Sequence, residues 1–333
     1  MDLDAYVLSH RADWNRLADL TEQTGTLTGA EADEVVTLYQ RTATHLSVIR
    51  ASAYDPELEA KLSALVTDAR SLVTGSSVPL LGTLARFFTV TFPGAVYALR
   101  WGWIAVGVAS IALAFLIGYR VINEPGLESS IATPGQIEAL INHDFAAYYS
   151  ENPAFDFAFQ VWLNNSVVTA TVILLGITVF PVLLVWYSNI SNLGVIGGIM
   201  VGHGRPDVFY GLLLPHGMLE LTCIFIGIAA GLTMAWAWIS PGRRTRARAL
   251  AEQGRSVGAV ALGLALVLAI AGILEAFITP SQLPAEARLA IGAAVWVGFL
   301  AYIFTLGRRA ALAGETGDVA EADRTQYAPT EAA

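Results

Sequence analysis

The sequence is short of charge: 14% of its 333 residues are Asp, Glu, Lys or Arg, against 55% hydrophobic. That balance is too apolar for an ordinary soluble domain of this length and reads as a multispanning membrane protein. There is one cysteine, Cys223, so no intrachain disulfide can form, and its apolar surroundings suit a small core side chain. The net charge is -9 and no basic cluster marks a nucleic-acid surface, which excludes nucleic acid as a partner. The N-terminus, "MDLDAYVLSHRADW", lacks the basic and apolar regions of a signal peptide, so this segment is expected to stay in the cytoplasm. No Walker motif, dinucleotide fingerprint, nucleophile elbow or CxxC occurs, and no cofactor is expected.

What is present begins with helical periodicity. Residues 1–78 predict a small cytosolic domain of three amphipathic helices. Thr28 and Glu31 form a capping-box signature, followed by Val35, Leu38, Thr42, Leu46 and Ile49 at three- and four-residue spacing. Asp55-Pro56-Glu57 opens the next helix, with Leu58, Leu62, Leu65, Ala69 and Leu72 on one face. Residues 79–100 mix aromatics, two arginines and Pro93 in the manner of an interfacial helix. A transmembrane domain comes next over 101–309, with spans expected near 101–120, 166–187, 190–203, 210–239, 256–279 and 289–307 and an extracytoplasmic loop at 121–163. Residues 310–333 predict a disordered cytosolic tail. The fold class is therefore all-α: a polytopic helical membrane protein of about six transmembrane helices behind a small cytosolic helical domain.

Charge asymmetry orients it. Arg243, Arg244, Arg246, Arg248 and Arg255 crowd one loop and Arg308-Arg309 end the last span, while the 121–160 loop carries Glu124, Glu128, Glu138, Asp144, Glu151 and Asp156. The positive-inside rule places the arginines in the cytoplasm and the acids outside. An even number of crossings must then precede Arg243, so the short glycine-rich segment 190–203 must cross, giving six spans and two cytoplasmic termini in a bacterial inner membrane.

Ionisable residues inside spans are costly and therefore mark sites. His216 and Glu220 stand at i and i+4 on the fourth span and face one way. Glu275 on the fifth sits at the same depth, each carboxylate about 28 Å from its arginine-side helix end at 1.5 Å per residue. Pro215 precedes Glu220 by the offset at which Pro280 follows Glu275. His203 belongs to the same outer layer, with Arg205 and Asp207 nearby. Three chemistries fit: a metal site of His216, Glu220, Glu275 and His203; a proton or ion path through the carboxylates; or a paired carboxylate that fixes the packing of two spans. Asn189 and Asn192, in "YSNISN" at the inner end of spans two and three, suit interhelical hydrogen bonds or a substrate lining. Glycines 194, 198 and 202, and 227 and 231, offer small-xxx-small faces for packing within the chain or between protomers, so a homo-oligomer is open. Outside, Thr133-Pro134 starts a helix with Ile137, Leu140, Ile141 and Phe145 on one face, and the aromatic tract after it suits a membrane belt or a partner surface.

The motifs "LYQRTATHLSVIR", "HDFAAYYSENPAFDFA", "NNSVV", "LLPHGMLEL" and "LEAFITPS" resemble those of the stage II sporulation protein M family, from near the start to about residue 309. The resemblance implies a polytopic inner-membrane scaffold or anchor for other proteins, related to the cell envelope or peptidoglycan, with no catalysis of its own. Its polar elements match Pro215, His216, Gly217 and Glu220, and Glu275, Thr279 and Pro280. Long relatives with a cytosolic helical domain also occur in bacteria that form no spores, beside AAA-type ATPases and RDD-domain membrane proteins. Such proteins are the partners that the resemblance implies, reached through residues 1–75 or the 131–162 loop. A transporter or channel using His216, Glu220 and Glu275 is the alternative function.

Overall fold

The computed structural model describes residues 3–22, 28–52, 55–73, 80–124, 126–149 and 153–315. The expected tail at 310–333 lies largely outside them. The chain divides into two compact units, Met1–Leu84 and Ala85–Ala333.

The first unit holds a three-helix bundle of α1 (Leu3–Glu22), α2 (Gly29–Ser52) and α3 (Pro56–Val73). The capping box forms: the Thr28 backbone N–H donates to the Glu31 carboxylate at 2.8 Å, and the Glu31 N–H donates to Thr28 Oγ1 at 3.4 Å. Asp55 caps α3 by accepting from the N–H groups of Glu57 and Leu58, both at 3.1 Å. Val35, Leu38, Thr42, Leu46 and Ile49 are all buried, against Trp14, Leu17 and Leu20 of α1 and Leu62 and Ala69 of α3. Each fully buried Leu or Ile there contributes about 1.5–3 kcal/mol relative to exposure. The α3 stripe stops a turn early, because Leu72 is 38% exposed.

The boundary between the units falls within α4 (Leu80–Arg86), after which come a π-helical turn over Phe87–Thr91 and α5 (Phe92–Ala98). The expected surface helix is thus split in two. Leu81 and Leu84 are exposed, but Phe92, Pro93, Gly94, Ala95 and Val96 are buried.

Next come α6 (Arg100–Asn123), the short helices α7 (Leu127–Ile131), α8 (Pro134–Ala139) and α9 (Phe145–Ala147), then α10 (Ala154–Leu174), α11 (Val179–Gly202) and α12 (Pro206–Ile239). Last are α13 (Arg246–Ile273), α14 (Ala285–Tyr302) and α15 (Arg308–Leu312). Counting their π and 3-10 continuations, six of these helices are long and apolar enough to cross a membrane. One break falls elsewhere than expected. The second and third spans run Ala154–Ile177 and Val179–Gly202, so the glycine-rich segment belongs to a 24-residue helix. Chain direction changes at Leu175–Thr178, where Gly176 is pressed against the Gly231 backbone and a Cβ would lie 2.4 Å from the Gly231 carbonyl oxygen.

Helix α12 is the centre, packed by α6, α10, α11, α13 and α14. Its most apolar window is 67% buried, more than that of any other of the six long helices. Gly194 and Gly198 of α11 lie against Ala114 and Gly118 of α6, and Gly227 and Gly231 of α12 lie against Thr169 and Val172 of α10, so these small-residue faces are spent within the chain. Tryptophan N–H groups tie the helices: Trp162 to the Ala265 carbonyl (2.8 Å), Trp186 to Ser110 (2.7 Å) and Trp296 to Thr222 (3.0 Å). The amphipathic helix α8 packs on the spans, with Ile137 buried against Val121 and Ile199.

Candidate functional site in the helix core

Pro215 has no N–H, so α12 loses the bond to the Gly211 carbonyl one turn before the site. His216 and Glu220 come after it on one face. Opposite, α13 ends in a π-helical turn, Leu274–Ile278, closed by the Thr279 N–H donating to the Leu274 carbonyl at 2.9 Å. Such widened turns concentrate at functional positions, and this one carries Glu275. One ligand-capable atom from each of His216, Glu220 and Glu275 falls within a 4.8 Å group. His216 Nε2 is 3.9 Å from Glu275 Oε1, with side chains only 4% and 5% exposed. Glu220 is less deeply covered, and the Asn165 amide of α10 donates toward its carboxylate.

His216 is held from behind: Nδ1 is 3.2 Å from Thr279 Oγ1, whose hydroxyl donates to the Leu274 carbonyl at 3.3 Å. A Thr279 hydroxyl that donates to Leu274 leaves Oγ1 to accept from Nδ1–H, the tautomer in which Nε2 presents a lone pair to the carboxylates. Glu275 Oε2 is fully buried with no hydrogen-bond partner among the described residues. The cluster therefore gathers more acceptors than donors, with Asn165 serving Glu220 and nothing among the described residues serving Glu275 Oε2, an arrangement costly to bury.

Tyr149 covers one side, its ring 5.6 Å from that of His216. Burial, followed by the nearby Glu275 charge, pushes its phenol well above the ordinary tyrosine range; Tyr148 beside it is pushed up to about 12 for the same reasons. On the other side Arg288 donates to the Thr279 carbonyl, and Gly292 of α14 lies so close to Pro215 that a Cβ would sit 2.0 Å from the Pro215 carbonyl oxygen. Gly217 lines a separate apolar groove of about 550 Å³ between α6, α11 and α12, which includes none of the three ionisable residues.

The remaining expected residues go elsewhere. His203 does not join the cluster. It ends α11 where Gly204 turns the chain at φ 78°, and it pairs with Glu128 at 2.6 Å with its side chain 43% exposed. Asn189 and Asn192 lie within α11 rather than at a helix end; both are exposed, and Asn189 donates to the Val185 carbonyl of its own helix at 2.8 Å. His143 and Asp144 form an exposed pair at 3.1 Å. Asn165, Tyr149, Arg288 and Gly292 were missed by sequence reasoning. Two carried a signal: Asn165, a polar pair with Asn164 in "NNSVV", and Tyr149, within the aromatic tract "HDFAAYYSENPAFDFA".

The stage II sporulation protein M family matches residues 83–280, more than half of the chain and a range that holds His216, Glu220, Glu275 and Pro280. The chain belongs to the stage II sporulation protein M family. The match stops before α14, so Arg288 and Gly292 lie beyond it. Residues 4–75, the three-helix bundle, match a separate domain of unknown function (DUF8413). No curated protein and no solved structure matches the chain.

Proposed function

We propose that the protein is a non-enzymatic membrane anchor that holds other proteins at the bacterial inner membrane, with both termini in the cytoplasm. One observation carries the choice of anchor over transporter: the facing surfaces of α12 and α13 between the His216 layer and the arginine loop are apolar and closely packed. Cys223, Ile226 and Ala230 of α12 and Val260, Leu264 and Leu268 of α13 are each at most 1% exposed. A conduction path needs water or polar groups along its length; these six buried side chains are apolar, and the side-chain hydrogen bond that joins α12 to α13, Gln253 to Thr233 at 3.2 Å, lies toward the arginine end. Burying a well-packed apolar wall suits a rigid platform for partners, with the three-helix bundle as the cytosolic module. The arginine-rich end and the acidic 124–156 stretch support the orientation.

The test is a mild-detergent purification from the native membrane, paired with flux measurements in proteoliposomes. The anchor reading expects a partner near one-to-one with the chain that is lost on deleting residues 1–75 or the loop at 131–162, and no ion flux. A flux carried by the pure protein and abolished by Glu220→Gln, with the fold intact, would overturn it.

A further inference from the structure

We propose that His216, Glu220 and Glu275 bind one divalent transition cation of zinc's class, which clamps α12 to α13. This does not depend on the anchor reading.

Donors and acceptors are mismatched in this cluster. Three lone-pair groups converge within 4.8 Å, His216 and Glu275 are nearly inaccessible, and Glu275 Oε2 has no partner among the described residues. A divalent ion answers every one of these deficits. Two carboxylates and a neutral imidazole around a 2+ charge sum to zero, so a site that would otherwise bury negative charge in an apolar interior becomes neutral. No arginine or lysine does this: among the described residues no salt bridge joins Glu220 or Glu275 to a guanidinium, and Arg288 donates to a backbone carbonyl instead.

The surroundings match what metal ligands need. A ligating imidazole is oriented by a hydrogen bond at its other nitrogen, and Thr279 supplies it at Nδ1, turning Nε2 inward. Asn165 plays the same part for Glu220. The mixed nitrogen and oxygen donors disfavour Mg²⁺ and Ca²⁺, which select oxygen alone. Zinc–ligand bonds of about 2.0–2.2 Å put tetrahedral ligand atoms about 3.4 Å apart; the present separations, 3.9 Å between Nε2 and Oε1 and up to 4.8 Å within the group, close on the ion by side-chain torsion. Glu275 Oε2, or a water, completes the shell. Because the ligands come from α12 and the π turn after α13, the ion would cross-link the two helices at the end remote from the arginine loop.

The experiment uses full-length protein in mild detergent, stripped with EDTA, loaded with Zn²⁺ and desalted. About one zinc per chain by elemental mass spectrometry is expected, with a midpoint of thermal unfolding that rises with free zinc and saturates, while Mg²⁺ leaves it unmoved. Glu220→Gln and Glu275→Gln keep the side-chain shape and are expected to lose the zinc and the thermal response. A double variant of the exposed histidines, His143→Ala with His203→Ala, should keep both. Cobalt-loaded wild-type protein gives a reading independent of any variant: intense visible bands mark a four-coordinate site, and a weak octahedral spectrum contradicts it. Zinc that is absent from the wild type after loading, or equally retained by both glutamine variants as adventitious binding only, overturns the proposal.

Discussion

Gly292→Ala should be among the most damaging single-methyl additions in the membrane unit. The new Cβ would meet three backbone atoms of Pro215, the carbonyl oxygen at 2.0 Å and the carbonyl carbon and Cα at 2.6 Å. None is the end of a flexible side chain, so relief requires α14 and α12 to move apart along a packed interface. Overpacking of a tight core costs about 1–3 kcal/mol, and with only backbone to yield the top of that range is expected, roughly a hundredfold in the folded-to-unfolded ratio. The control sits on the same helix: Gly298 has nothing within 4 Å of its Cβ position, so Gly298→Ala should be neutral or stabilising by up to about 1 kcal/mol through helix propensity. Reversible unfolding of both variants in one detergent is the assay. Equal midpoints for Gly292→Ala and wild type would refute the packing argument. Because Pro215 directly precedes His216, Gly292→Ala should also weaken zinc retention while Gly298→Ala does not.

Phe92→Ala should cost about 3–5 kcal/mol, as expected for a fully buried ring, and be visible as a lowered unfolding midpoint of the membrane unit, since Phe92 fills the space over Gly263 of α13. Thr28→Ala removes the α2 cap and should speed amide exchange in its first turn by roughly fivefold in the full-length chain, the equivalent of a typical N-cap loss. The three-helix bundle should also soften on acidification. Trp14 donates to His45 Nδ1 at 3.1 Å, and burial, with the stacked His10 adding to it, holds the His45 pKa below its usual 6.5. The unfolded chain then binds the proton more readily than the folded one, so this stability is fully present above pH about 6.5 and is lost as pH falls below it. Exchange in α1 and α2 should accelerate over that window, and His45→Gln should flatten the dependence.

How far the sequence foretold the fold depends on whether the deciding interaction was local. The α2 stripe from Val35 to Ile49, the Thr28 and Thr133 caps and the number of long apolar helices all derive from spacing and short-range hydrogen bonding, and the structure carries each of them. The position of the break between the second and third spans is not local in origin. Polar "YSNISN" looks like a helix boundary, yet Asn189 satisfies itself on its own helix, and the true bend at Gly176 is set by contact with Gly231, fifty-five residues away in sequence. The second half of the interfacial segment misleads similarly. Nothing in "FPGAVYA" says that Phe92 will find a glycine waiting on α13.

For the site, the same distinction separates what depth decides from what azimuth decides. Counting rise per residue places His216, Glu220, Glu275 and His203 in one layer, but a layer is a plane, and residues in it meet only if their helices turn them inward. His216 and Glu220 share a face by their i, i+4 spacing; His203 ends its helix and looks toward Glu128. Glu275 is the instructive case. The π turn inserts one extra residue into the last turn of the fifth span, which rotates the residues beyond it by about 100° relative to a regular helix. Pro280 makes that widening cheap, because its missing N–H removes the α-helical partner of the Ala276 carbonyl in any event. Thr279, beyond the turn, is thereby placed to hold His216 from behind, while Glu275 stands at the start of the turn with its Oε2 lacking a donor among the described residues. The proline therefore acts twice: it ends the helix, and it permits the backbone irregularity that sets the phase of Thr279, on which the orientation of His216 depends.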